Sequence, residues 1–207
     1  GLLAGQAELL ALGITGWMDA IIGDYSGHRD AFDTYVRAVD AGELAAEVVG
    51  SLWWPRDVTD IDAQVAKFVK RKRTAGAFRT HSVKFMLDGI VESRTAAMSA
   101  EYTCACGGFG TSYFTRDHLH AAFAALDSAG FDIHCHAIGD AAVTAALDAF
   151  AAVAGSDAGL RPDARHHIAH VQVVDPADVP RFSELGITAN LQALWACRDQ
   201  QMIDLNI

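Results

Sequence analysis

The sequence predicts an α/β fold with a parallel sheet and, within that class, part of a (β/α)₈ barrel. Three observations carry this. Helical and extended patterns alternate along nearly all of the 207 residues, as they do where parallel strands are joined by helical crossovers. Lys84, His136 and His170, with Asp19 as a weaker fourth, fall at or near the C-terminal ends of separate strands, the face where a barrel gathers its catalytic groups. No Gly-rich phosphate loop follows the first strand, as an open doubly wound sheet would more often show.

The elements follow in order. "LLAGQAELLALG" (2–13) has helical spacing and stops at Gly13, and "ITGWMDA" (14–20) is a short apolar strand. "HRDAFDTYVRAVDAG" (28–42) is an amphipathic helix ending at glycine, and "LAAEVVGSLW" (44–53) is the next strand. "DVTDIDAQVAKFVKRKRTAG" (57–76) opens with Asp and Thr as capping residues and closes on a basic turn, as the helix dipole prefers. The strand "HSVKFMLDG" (81–89) leads into a Gly- and Ser-containing stretch over 90–114. Then come helix "TRDHLHAAFAALDSAG" (115–130), strand "FDIHCHA" (131–137) and helix "DAAVTAALDAFAAVAG" (140–155). Strand "RHHIAHVQV" (165–173), helix "DPADVPRFSELG" (175–186) and strand "ITANLQAL" (187–194) complete the series. A closed barrel has eight strands and this reading supplies six, so the barrel is expected to be truncated at both ends.

Composition excludes more than it assigns. The formal charge of −10 argues against nucleic acid or an anionic membrane surface as the partner. No run of about 18 apolar residues suggests a membrane span. The first residues lack the basic head and cleavage site of a signal peptide. Cys104, Cys106, Cys135 and Cys197 are too few and too unevenly spaced for a disulfide framework. They read as reduced thiols in a cytoplasmic protein.

Chemistry concentrates on three strands. By the two-residue period of a strand, Lys84 shares its face with Ser82, Met86 and Asp88. An ammonium there is costly to bury unless it is paired or modified. Three readings stay open: a structural ion pair, a Schiff-base nucleophile, or a CO₂-derived carbamate able to ligate metals. In "RHHIAHVQ", His166, Ile168 and His170 are expected on one face and His167 on the other. His136 and His170 lie 34 residues apart, about one βα unit, so they fall on adjacent strands. Imidazoles brought together this way suit zinc or another transition metal. His134 shares the face of His136 one layer deeper, as a packing group or a support for the site.

"VKFMLDGIVESRTAAM" (83–98), "IHCHAIGDAAVTAALDAF" (133–150) and "RHHIAHVQVVDPADVPRFSELGI" (165–187), with "LGITGWMDA" (12–20), resemble the amidohydrolase superfamily, and within it amidohydrolase family three, which includes N-substituted formamide deformylases. The resemblance covers nearly the whole chain. It implies a metal-dependent (β/α)₈ barrel of which residues 1–207 are the central part of a single domain, about strands two to seven. Lys84 matches a lysine that is carboxylated in many members, and His136 and His170 match the ligands of the following two strands. The implied cofactor is one or two divalent ions, expected to be zinc, with a carbamate on Lys84. His134, His166, Asp88, Arg94 and Asp140 are candidates for supporting the site or meeting substrate.

The family's His-x-His pair and general-base aspartate are expected before Gly1 and after Ile207. Ala169 stands where relatives usually carry Glu. The implied activity is hydrolysis of an amide-type, non-peptide C–N bond by metal-activated water, with these residues inactive alone. Two rivals are a Schiff-base lyase or aldolase using Lys84, and a non-catalytic truncated barrel. The loop over 90–114, with Glu92, Arg94, Tyr102 and Phe109, is expected over the barrel mouth, where it shapes specificity for a small-molecule substrate. Open barrel edges are expected to be covered by self-association or by further segments.

Overall fold

Every element expected from the sequence is present; most have narrower bounds, while the first strand lies two residues later and the third strand three residues earlier than expected. The computed structural model describes residues 1–103, 107–193 and 200; Cys104, Cys106 and Cys197 lie outside them. The chain divides into two compact units, residues 1–84 and 85–207.

The first unit runs α1 (Leu2–Ala11), β1 (Gly16–Ile22), α2 (Phe32–Asp40), β2 (Glu47–Trp53), α3 (Ile61–Val69) and β3 (Phe78–Met86), whose last two residues belong to the second unit. β1, β2 and β3 pair in parallel, with Trp17 opposite Val48, Val48 opposite Phe78 and Trp53 opposite Lys84. Val48, Leu52, Trp54, Phe78 and Val83 are buried. Tyr35 of α2 stacks on Phe78 at 4.5 Å between ring centroids, which seats the helix on the sheet. The Asp60 side chain caps α3 by accepting from the Ala63 amide at 2.9 Å.

α3 is shorter than its amphipathic pattern because β3 competes for the chain that follows it. Thr80 donates its hydroxyl to the Arg71 carbonyl, accepts the Arg73 amide at 3.1 Å, and gives its own amide to the Arg73 carbonyl at 2.8 Å.

The second unit contains α4 (Arg116–Ser128), β4 (Asp132–Ala137), α5 (Asp140–Ala154), β5 (His167–His170), α6 (Val179–Leu185) and β6 (Thr188–Asn190). β4, β5 and β6 pair in parallel, with His134 opposite His167, His136 opposite Ala169 and His167 opposite Thr188. Phe85, at the end of β3, packs edge-on against Phe123 of α4 at 5.2 Å, and Phe123 lies 4.8 Å from Phe150 of α5. No described helix is long and apolar enough to cross a membrane.

The stretch after β3 is a packed appendage with its own apolar centre: Val91, Ala96, Tyr102 and Ile138, with Met98 against them. The amides of Gly89, Met98, Tyr102 and Tyr113 bond the carbonyls of Thr95, Phe109, Gly108 and Leu87 at 2.8–3.0 Å. Gly110 is required here: its φ is +73° and a Cβ would stand 1.8 Å from the Ala96 carbonyl oxygen. Tyr102, named with the loop expected over the barrel mouth, is buried and donates its hydroxyl to the Ala96 carbonyl at 2.9 Å. Phe109 is 52% exposed.

Candidate functional site

β4 is buried along its whole length. Its alternation separates Cys135, a buried thiol on one face, from His134 and His136 on the other. His134 lies against His167 of the neighbouring strand, ring centroids 4.1 Å apart, as their register dictates. One layer on, His136 meets His170 in an edge-to-face pair at 4.7 Å.

This second pairing departs from the expected alternation. Strict period-two spacing puts His170 on the face of His166, opposite His167. The backbone leaves the strand conformation at His170, where φ is +82°, and stays left-handed at Val171 with φ +47°. That turn re-aims the His170 ring to His136. His166, expected on the same face, points elsewhere. Its Nδ1 accepts the Ile133 amide at 3.0 Å, its Nε2 lies 3.0 Å from Asp127 Oδ1 of α4, and its ring lies 5.1 Å from Phe150 of α5. His166 is therefore a link between the sheet and its helices, and burial lowers its pKa below the ordinary 6.5.

The partners of the His136–His170 pair fix its protonation. The His136 Nε2 lies 2.9 Å from the Gly89 carbonyl, which can only accept, so Nε2 carries the hydrogen and the basic lone pair is on Nδ1. The His170 Nδ1 lies 2.6 Å from Gln192 Oε1. The Gln192 amide nitrogen faces the Asn190 carbonyl and Oδ1 at 3.0 and 3.1 Å, which assigns Oε1 as the acceptor and leaves the His170 lone pair on Nε2. A ligating histidine is held by the same device, the second ring nitrogen donating to a carbonyl.

Sequence reasoning missed both Gly89 and Gln192. Gln192 carries a readable signal, since it is a polar residue two positions beyond Asn190, the last residue of β6. Among the described residues no group of three or more His, Cys, Asp or Glu is arranged to hold a metal. Two imidazoles with set tautomers fit part of a metal shell, and a catalytic zinc usually takes three protein ligands.

Asp88, just beyond β3, is fully buried. Its carboxylate accepts the amides of Gly139 at 2.8 Å, Ala97 at 2.9 Å and Ile138 at 3.0 Å, and Oδ1 lies 3.4 Å from His136 Nε2. Burial pushes its pKa up to about 6 against the opposing pull of those amides. Asp140 opens α5 and accepts the Ser99 amide at 2.9 Å together with the Ser99 hydroxyl, pinning the appendage to this helix. Arg94 is exposed in a tight turn with φ +56°, its amide bonded to the Val91 carbonyl.

Lys84 belongs to the first unit. It is 3% exposed, and two residues before it on β3 Ser82 accepts from Ser51 at 3.0 Å in a buried hydroxyl pair. Asp19 of β1 accepts the Tyr35 hydroxyl at 2.9 Å and the Ile21 amide, so its carboxylate serves the contact of β1 with α2.

A family model described as an amidohydrolase family matches residues 1–207. The exoenzymes regulatory protein AepA of Pectobacterium carotovorum subsp. carotovorum is 29% identical over 174 residues, covering 81% of this chain and 36% of that protein. Uncharacterized metal-dependent hydrolases of Pyrococcus furiosus and Pyrococcus horikoshii OT3 match 99% of the chain with TM-scores of 0.77 and 0.78, at 24% and 20% identity. The chain covers 40% and 38% of those two proteins. The likeness shows the fold, the α/β architecture of part of a metal-dependent-hydrolase barrel.

Proposed function

Because this chain belongs to the amidohydrolase family, we propose that it is part of a metal-dependent hydrolase that cleaves an amide-type, non-peptide C–N bond in a small molecule. The observation supporting this most directly is the convergence of His136 and His170, each with its proton directed into a carbonyl acceptor and its lone pair on the other nitrogen. Neutral imidazoles in that state are donors for zinc. When bound, the ion supplies Lewis acidity and lowers the pKa of water.

The chain's own residues hold and orient. His136 and His170 are proposed as ligands, with Gly89 and Gln192 keeping their rings in the right tautomer. For Lys84, in the first unit, the proposal is the modification the resemblance implies, a carbamate formed when its amine adds to CO₂ and loses a proton. The resemblance implies a general base and a strand-one His-x-His pair on further segments of the barrel. The proposal therefore gives these residues metal binding without turnover, and turnover to the whole protein.

Elemental analysis of the purified 207-residue chain after loading with zinc tests the reading. About one ion per chain is expected, lost in His136→Ala and in His170→Ala. Retention of full zinc content by both variants would refute it. Hydrolysis of a panel of N-formyl and N-acyl amines by the whole protein, absent in the same variants, tests the C–N assignment.

A further inference from the structure

Asp88 holds a position that no step above uses. It is fully buried, and its partners are main-chain amides and the His136 ring. Those amides belong to the two segments that frame this histidine. Ile138 and Gly139 follow His136 and Ala137 in the turn into α5, and Ala97 lies in the appendage that Gly89, acceptor of the His136 proton, leads into. One carboxylate thereby ties the appendage, at Ala97, to the turn that follows the histidine it touches. At 2.9 and 3.4 Å from His136 Nε2 stand the Gly89 carbonyl and Asp88 Oδ1, both acceptors. An N–H is stabilised between them and a lone pair is repelled.

Resting on the metal-centre reading above, we propose that Asp88 is a positioning residue. It clamps the Ala97 and Ile138–Gly139 main chain and, with the Gly89 carbonyl, keeps the His136 proton on Nε2, so that Nδ1 is the atom offered to the metal. A buried carboxylate serving only to staple a loop would need the amides but not the ring. The geometry supplies both from one group.

Asp88→Asn separates the two roles. It preserves shape, but its amide nitrogen faces donors where the carboxylate faced them as an acceptor. A donor beside Nε2 favours the proton on Nδ1, which removes Nδ1 as a metal donor. The metal-free 207-residue chain, labelled with nitrogen-15 histidine, reports the tautomer by long-range proton–nitrogen correlation, with His136 assigned by its loss in His136→Ala. Zinc affinity follows from competition with a chromogenic chelator.

The expected results are Nε2–H in the unsubstituted chain, a shift towards Nδ1–H in Asp88→Asn, and zinc binding weaker by about 10- to 100-fold, as for other groups that orient a ligand. Nδ1–H in the unsubstituted chain overturns the proposal, and so does Asp88→Asn with an unchanged tautomer, whatever its affinity. Should Asp88→Asn fail to fold, Asp88→Ser is read in its place, a shift away from Nε2–H again being expected and an unchanged tautomer overturning the proposal. Undiminished zinc binding in His136→Ala and His170→Ala defeats the metal-centre reading itself, while the metal-free tautomer still judges Asp88 separately.

Discussion

Lowering the pH should destabilise this fold through His166, by an amount that can be worked from its contacts. Nδ1 accepts the Ile133 amide, so the ring's one hydrogen sits on Nε2, directed at Asp127. A second proton would oppose the Ile133 N–H. Burial lowers the pKa from 6.5, and the attraction of Asp127 and Asp132 only partly offsets this. A histidine with a folded pKa below its unfolded one takes up protons more readily when unfolded. Its contribution is complete above the unfolded value, about 6.5, and is lost as pH falls through that value towards the folded pKa.

The slope is at most one proton, about 1.4 kcal/mol per pH unit. His166→Asn keeps an acceptor near Ile133 but loses the bond to Asp127. It should cost about 1–3 kcal/mol at pH 7.5, a gap that closes as pH falls below 6.5. Urea unfolding of both chains at pH 7.5, 6.5 and 5.5 measures it, the remaining histidines being common to both. Parallel stability curves would refute the argument. Because His166 faces Asp127 and Phe150, the folded variant should bind zinc as tightly as the unsubstituted chain.

Three further substitutions test local contacts in the two units. Gly139→Ala places a Cβ 1.9 Å from the Ala97 carbonyl oxygen, so the main chain must move; a loss of about 3 kcal/mol or more is expected, and an unchanged melting temperature would count against the observed close approach. Asp60→Ala removes the acceptor for the Ala63 amide and should cost about 1 kcal/mol in urea denaturation; no change would mean that the cap contributes nothing. Val171→Gly relieves a left-handed backbone that a β-branched side chain adopts poorly. The relief, about 1–2 kcal/mol, roughly offsets the lost side chain, so near-neutral stability is expected, and a large loss would show that the valine's packing dominates.

The order and kind of all the elements were legible because each carries a clean period: two in "FDIHCHA", near 3.6 in "TRDHLHAAFAALDSAG". Their bounds were less so, since tertiary bonds decide them. Thr80 takes the main chain that would have continued α3, and no local pattern in 57–76 reports a threonine several residues on. At the site, the ends of β4 and β5 were readable from His136 and His170, and Asp88 from its place beyond the lysine strand. Their supports were not, because a carbonyl such as that of Gly89 has no sequence signature. Tyr102 and Arg94 look alike to sequence reasoning as polar residues in a long loop. Folding buries the first as a prop and exposes the second.

The two histidine layers of β4 and β5 show why alternation alone misplaces the site. Register pairs His134 with His167, and that layer obeys the strand period throughout. The register goes on to pair His136 with Ala169, and the strand period alone would turn His170 towards the helices. His170 is the last residue of β5, still paired with Ala137, and positive φ values at His170 and Val171 turn the chain there. The imidazole is thereby delivered to His136, and the next bond, from the Val171 amide to the Ala137 carbonyl at 3.0 Å, holds the turn against β4. Left-handed backbone at non-glycine residues is unfavourable and persists where surrounding bonds over-determine it. Here those bonds are the ones that give His136 a neighbour. The strain and the pairing are consequences of a single turn, which is why the most informative residue for the site, His170, is also the one whose direction strand periodicity reads wrongly.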